Sequence, residues 1–108
     1  MEQATILVVD DEPRVFDSLE AGLAADFRVL RAGGRPAALE ILRTEDDVAV
    51  IVTDYKMPGM TGVELLRESQ AIVPDAMRIV LTAYSDIDSL MEAVNTRNLS
   101  TRGQTVRF

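Results

Sequence analysis

Apolar and polar positions follow two different rhythms along this chain. Thr5-Ile6-Leu7-Val8-Val9 and Val48-Ala49-Val50-Ile51-Val52-Thr53 are unbroken runs rich in β-branched residues, with no alternation. Such runs fit strands buried on both faces of a parallel sheet. Elsewhere the spacing is helical. Val15, Phe16, Leu19 and Leu23 form one stripe, which predicts a helix from Pro13 to about Ala25. Pro13 suits its first turn, where a missing N–H costs nothing. Phe27-Arg28-Val29-Leu30 reads as a short second strand and Gly33-Gly34 as a turn; Pro36 opens a second helix with Leu39 and Leu42 inward. Met57 to Thr61 holds Pro58 and Gly59 and reads as a loop. A third helix is expected from near Gly62, with Leu65 and Leu66 apolar, ended by Pro74. Arg78–Thr82 reads as a fourth strand. Ile87, Leu90, Met91 and Val94 fall at i, i+3, i+4 and i+7, one face of a fourth helix. Four β-α units in series imply right-handed crossovers and a parallel sheet. Beyond Asn95 the chain is polar and arginine-rich, and only Gln104–Phe108 offers a short strand.

The chemistry stands at the strand ends. The first run leads straight into Asp10-Asp11 and the third strand into Asp54. Open α/β sheets bind ligands beyond the carboxyl ends of their strands, where the strand order reverses. If the two strands are neighbours, three carboxylates converge on one crevice. They repel one another unless a hard cation sits among them. Mg²⁺ prefers oxygen ligands and takes one or two carboxylates plus phosphate oxygens. Plainer readings exist: Asp10 or Asp11 as a helix N-cap ahead of Pro13, and Asp54 as a turn residue. A cap accounts for one acid, not for two directly at the end of an apolar strand.

Composition narrows the choice. The chain has 108 residues, one domain's worth, and 47% hydrophobic residues can fill a core. A net charge of −7 argues against binding nucleic acid through its phosphates. There is no Cys for a disulfide or a thiol, and no His to act as nucleophile, base or metal ligand. No apolar stretch approaches a membrane span and no secretory signal is present, so a cytoplasmic protein is expected. The charge is uneven: residues 1–92 hold all 18 acids, whereas 93–108 hold Arg97, Arg102 and Arg107 and no acid.

These residues resemble the receiver domain of two-component response regulators. That family carries an acidic pair after strand 1, an Asp-x-x-Met-Pro-x-x-x-Gly loop after strand 3, and Thr or Ser followed by a small residue after strand 4. Here stand Asp10-Asp11-Glu12-Pro13, then Asp54-x-x-Met57-Pro58-x-x-x-Gly62, then Thr82-Ala83. The resemblance implies a flavodoxin-like, doubly wound parallel sheet of order 2-1-3-4. It makes residues 1–95 the receiver domain and 96–108 an atypical tail, with at most a short fifth strand and no recognisable fifth helix. It implies that Asp54 is the phosphoacceptor, a carboxylate that attacks a phosphohistidine. Asp11 resembles the direct Mg²⁺ ligand and Asp10 one acting largely through water. Asp54 itself and the backbone carbonyl of Lys56 complete the metal set. Thr82 would bond a phosphoryl oxygen after transfer, although by itself it is an ordinary β-branched strand residue. Ala83 leaves room for that group, Pro58 and Gly62 shape the loop, and Met57 belongs to packing.

One departure is large. The family places a Lys-Pro pair at the end of strand 5, and that Lys pairs with the phosphoryl group. The equivalent position falls near Gln104, and the only lysine of this chain is Lys56. The family's strand 5 aromatic falls near Thr101. Two functions therefore compete: a receiver phosphorylated by a histidine kinase or phosphotransfer protein, and a receiver-like interaction module that is not phosphorylated. An aspartyl phosphohydrolase would want a second Asp at position 56. The first reading makes the chain a phosphoacceptor that assists its own phosphorylation, not an enzyme. No effector domain is present, so an output domain or partner elsewhere is expected, reached through Thr82-Ala83-Tyr84 and the fourth helix. With so little sequence to flank it, Arg78–Thr82 is expected to be an open or poorly covered edge, and the chain to self-associate, by edge pairing or by exchange of the fourth helix and tail between two copies.

Overall fold

Neighbouring residues of a strand point to opposite faces, so a run without polar positions needs cover on both sides. Both apolar runs receive it. The computed structural model describes residues 4–45, 47–54, 56–57, 60–81 and 105–107. In chain order the elements are β1 (Ala4–Val9), α1 (Pro13–Leu23), β2 (Phe27–Ala32), α2 (Arg35–Thr44) and β3 (Val48–Asp54). Then come β4 (Lys56–Met57), β5 (Met60–Thr61), α3 (Gly62–Ser69), β6 (Met77–Leu81) and β7 (Thr105–Arg107). Five strands form one sheet in the order β2-β1-β3-β6-β7, parallel at every junction. With β6 as the fourth strand of the sequence reading, the order 2-1-3-4 is as expected.

The two faces are separate cores. Ile6, Val8, Val50, Val52, Ile79 and Leu81 pack with Leu19 and Leu23 of α1. Leu7, Val9, Ile51 and Val80 pack with Leu39 and Leu42 of α2 and with Leu65 and Leu66 of α3. The helical stripes read from the sequence supply these leucines, and truncating any one of them to Ala costs about 2–5 kcal/mol. Among the described residues no helix is long and apolar enough to cross a membrane.

Several boundaries differ from the expectations. Met57 to Thr61 is not a plain loop: β4 and β5 pair antiparallel, Lys56 opposite Thr61 and Met57 opposite Met60. The third helix stops at Ser69, well before Pro74. The Ser69 hydroxyl donates to the Leu66 carbonyl at 2.6 Å, and the amide N–H of both Ile72 and Val73 bonds the Ser69 carbonyl. A side chain that competes for helix carbonyls in this way favours an end to the helix. The open fourth strand is overturned. All five residues of β6 are buried. β7 runs beside it, pairing Thr105 with Arg78, Val106 with Ile79 and Arg107 with Val80. A ladder uses backbone groups, so the polar composition that hides β7 in the sequence does not prevent its pairing. Thr82, Ala83, Tyr84, the fourth helix with Ile87, Leu90, Met91 and Val94, and positions 95–104 lie outside the described residues.

A buried cation closes the connection between α3 and β6. Arg78 has no exposed surface. Its Nε donates to Ser69 Oγ at 2.9 Å, and Nη1 donates to the carbonyls of Ala76 at 2.8 Å and Pro74 at 3.3 Å. Nη2 donates to the Val73 carbonyl. Burial pushes the guanidinium pKa down, with Asp75 opposing. One side chain thus ties the turn of residues 69–76 to the sheet.

Candidate functional site

The register of the central strands builds the site. Val9 pairs with Thr53, so Asp10 and Asp54, the next residues, stand side by side at the carboxyl ends of β1 and β3. From β1 the chain winds outward to β2, and from β3 it winds the other way to β6. The three acids therefore stand at the reversal point, where α/β sheets form a crevice.

Each acid is held differently. Asp10 is 2% exposed. Its N–H donates to the Ala32 carbonyl at 3.1 Å, extending the contact with β2. Its Oδ1 accepts the Glu12 N–H at 2.7 Å, an Asx-type turn that steers the chain into α1. Asp11 is exposed and Asp54 half-buried. One carboxylate oxygen from each lies within 4.8 Å of the other two. The residue at the N-cap of α1 is Glu12, and its side chain makes no capping bond. Neither Asp10 nor Asp11 occupies the capping position, so that plainer reading does not account for the pair. The positive end of α1 still favours acids just ahead of it.

The donor set suits a hard divalent cation. Carboxylate oxygens prefer Mg²⁺, Ca²⁺ or Mn²⁺, whereas softer metals prefer nitrogen or sulfur, and the chain has neither His nor Cys. A cation among three like charges would relieve their repulsion. Lys56, two residues past Asp54, begins β4. Thr82 follows Leu81 in the chain, and Leu81 is the β6 partner of Asp54; Thr82 itself lies outside the described residues.

Gly62 and Thr53 meet at the backbone of Asp54. A Cβ on Gly62 would fall 2.1 Å from the Asp54 carbonyl oxygen and 3.0 Å from Thr53 Cγ2. Only glycine permits α3 to start so close to the end of β3. The Thr53 hydroxyl donates to the same carbonyl oxygen at 3.1 Å, and Thr53 has no exposed surface. Sequence places Gly62 in the shape of the loop and does not single out Thr53. The available signal was a hydroxyl at the end of an otherwise apolar strand.

Comparison with known proteins agrees with this geometry. The family model for the response regulator receiver domain matches residues 6–99. The chain is 43% identical over 94 residues to the hydrogenase transcriptional regulatory protein HoxA of Cupriavidus necator, covering 87% of this chain and 19% of that protein. It is 30% identical over 94 residues to sporulation initiation phosphotransferase F of Bacillus subtilis, covering 86% of this chain and 75% of that one. A crystal structure of a response regulator receiver domain protein from Clostridium thermocellum superposes with a TM-score of 0.71 at 31% identity, over 96% of this chain and 81% of that one. The chain spans about a fifth of the length of HoxA. A doubly wound parallel sheet, an acid cluster at its reversal point and these matches have one explanation: the chain belongs to the receiver domain family of two-component response regulators.

Proposed function

We propose that Asp54 is the phosphoacceptor, and that Asp10, Asp11, Asp54 and the backbone carbonyl of Lys56 hold Mg²⁺ beside it. The observation behind this reading is the approach of three carboxylates to within 4.8 Å at the ends of β1 and β3. An Asp54 carboxylate oxygen attacks the phosphorus of a phosphohistidine. The P–N bond breaks and an acyl phosphate forms on Asp54. The imidazole leaves with the electron pair of that bond and takes up a proton. Mg²⁺, when bound, offsets the negative charge that gathers on the transferring group. Asp10, fixed by its bond from the Glu12 N–H, contributes an oriented oxygen. Thr82 would donate to a phosphoryl oxygen after transfer. The chain assists its own phosphorylation and is not an enzyme with turnover.

The donor in this reading is a histidine kinase or phosphotransfer protein in the cytoplasm, and the recipient of the switch is an output domain or partner protein. HoxA is by name a transcriptional regulator, so a transcriptional output is the natural candidate. Self-association by edge pairing would run through β7, the outer strand on that side; exchange of the fourth helix and tail between two copies is the other route. A second reading, the interaction module that is not phosphorylated, draws on one feature: the chain has no lysine besides Lys56. For the same reason a phosphoryl group on Asp54 should be short-lived.

Incubation with acetyl phosphate, followed by intact mass, tests the assignment. One phosphoryl group should appear with Mg²⁺, and none in excess chelator or in Asp54→Asn. Equal labelling in chelator would remove the metal from the account. Labelling of Asp54→Asn would remove Asp54. An unlabelled wild type would favour the interaction module.

A further inference from the structure

We propose that Thr53 is a positioning residue for phosphoryl transfer, its hydroxyl holding the Asp54 carbonyl oxygen where that oxygen packs against Gly62. The proposal rests on Asp54 being the phosphoacceptor. The β1 pairing of β3 ends at Thr53, one residue short of Asp54, while the β6 pairing continues to Asp54 beside Leu81. The nucleophile therefore sits where the sheet loses its grip on one side. At that point the Thr53 hydroxyl donates to the Asp54 carbonyl at 3.1 Å. The start of α3 closes over it so tightly that a Cβ on Gly62 would come within 2.1 Å of the oxygen. Rotation of the Asp54 peptide would break this hydrogen bond and move the oxygen out of the space that glycine at 62 leaves for it. Holding this peptide limits backbone motion on the C-terminal side of Asp54, and so limits how far the base of its side chain can drift from Asp10 and Asp11.

Packing alone does not call for a hydroxyl here. Thr53 has no exposed surface, and its neighbours in the sheet are Val9 and Val80. Val would fill the space without a polar atom, and a buried hydroxyl is costly unless it is bonded. The bond to the Asp54 carbonyl is one that Val cannot make. Small displacements of a reacting group can cost as much as about 100-fold in rate, so even one such bond carries weight.

Thr53→Val and Thr53→Ser separate positioning from packing. Initial rates of Asp54 labelling by acetyl phosphate are measured at saturating Mg²⁺, together with Mg²⁺ affinity and melting temperature. Thr53→Val should label roughly tenfold more slowly, although its melting temperature stays close to that of the wild type. Thr53→Ser keeps the hydroxyl and loses a methyl group; it should melt lower and yet label within about twofold of the wild type. A purely structural role would make rate follow melting temperature. Wild-type rates in Thr53→Val, or a Thr53→Ser as slow as Thr53→Val, would overturn the proposal alone. A wild type that takes no phosphoryl group on Asp54 would overturn it together with the reading beneath it.

Discussion

Asp10 and Arg78 are the charged side chains buried among the described residues, and their surroundings are opposite. Arg78 lies near the amino end of β6, where Ser69, Val73, Pro74 and Ala76 all present oxygens to its guanidinium. Its planar fork spreads one charge over a turn, and those hydrogen bonds offset the cost of burial. Asp10 lies at the carboxyl edge of β1. There it accepts one backbone N–H and stands within reach of two further carboxylates. The first arrangement settles the charge inside the fold. The second gathers three carboxylates at one edge of the sheet, a donor set that suits a hard cation. A buried charge therefore does not by itself mark a functional site; the sign of what surrounds it does.

The contrast can be broken most forcefully at Arg78. Arg78→Ala should lower stability by about 2–4 kcal/mol, because it leaves several oxygens unpartnered and opens a cavity. For a chain of this length that is a fall in melting temperature on the order of 10 °C. Arg78→Lys keeps the charge but cannot reproduce the fork, so it should recover only part of the loss. Labelling of Asp54 by acetyl phosphate, measured well below the melting point, should be unaffected per folded molecule. Should the rate fall in proportion to stability, Arg78 would belong to the site after all, and the division drawn here would be mistaken.

At the acid cluster the sign reverses. Asp11→Ala removes one of three crowded charges and no capping bond, since the N-cap of α1 is Glu12. It should stabilise the metal-free chain slightly, by less than about 1 kcal/mol for so exposed a group. It should also abolish the rise in melting temperature that Mg²⁺ gives the wild type by binding the folded state. Thermal melts of both chains, with and without Mg²⁺, decide this. A mutant that melts lower without metal would show that Asp11 supports the fold and not the site.

The sequence revealed these regions unequally, for physical reasons. Asp10, Asp11 and Asp54 were legible because each follows an apolar run whose lack of alternation already gives its place in the sheet. Leu19, Leu39 and Leu65 were legible because helical spacing needs no partner to be recognised. Arg78 was not: it read as the polar start of an apolar strand, and the oxygens that bury it come from a turn whose path no periodicity reports. Thr53 was missed because its bond is to backbone, which the sequence does not distinguish. β7 was only a weak candidate, since three residues in a polar tail carry too little pattern, and the expectation of an open edge followed from that gap.

The smallest effect sharpens the contrast from outside, where charge pairs meet water. Arg35 on α2 and Glu68 on α3 form a two-pronged ion pair, Nε to Oε2 at 2.9 Å and Nη2 to Oε1 at 2.6 Å, with both side chains well exposed. The hydrogen bond from Arg35 holds the Glu68 carboxyl below its ordinary value of 4.5, aided by the charge of Arg35 and opposed by partial desolvation. A carboxyl whose pKa is lower in the folded chain stabilises that chain above its unfolded pKa. The contribution is lost as pH falls through the folded value. Arg35 is shifted upward by the same bond and stays charged throughout. Glu68→Gln should therefore be slightly less stable than the wild type at pH 7, and the gap should close in acid, once the pH lies below the folded value. It should also shrink in 1 M salt, because exposed pairs are screened. Urea midpoints of the two chains under these three conditions measure it. A gap of the same size in all of them would mean that Glu68 acts through packing between α2 and α3 and not through its charge.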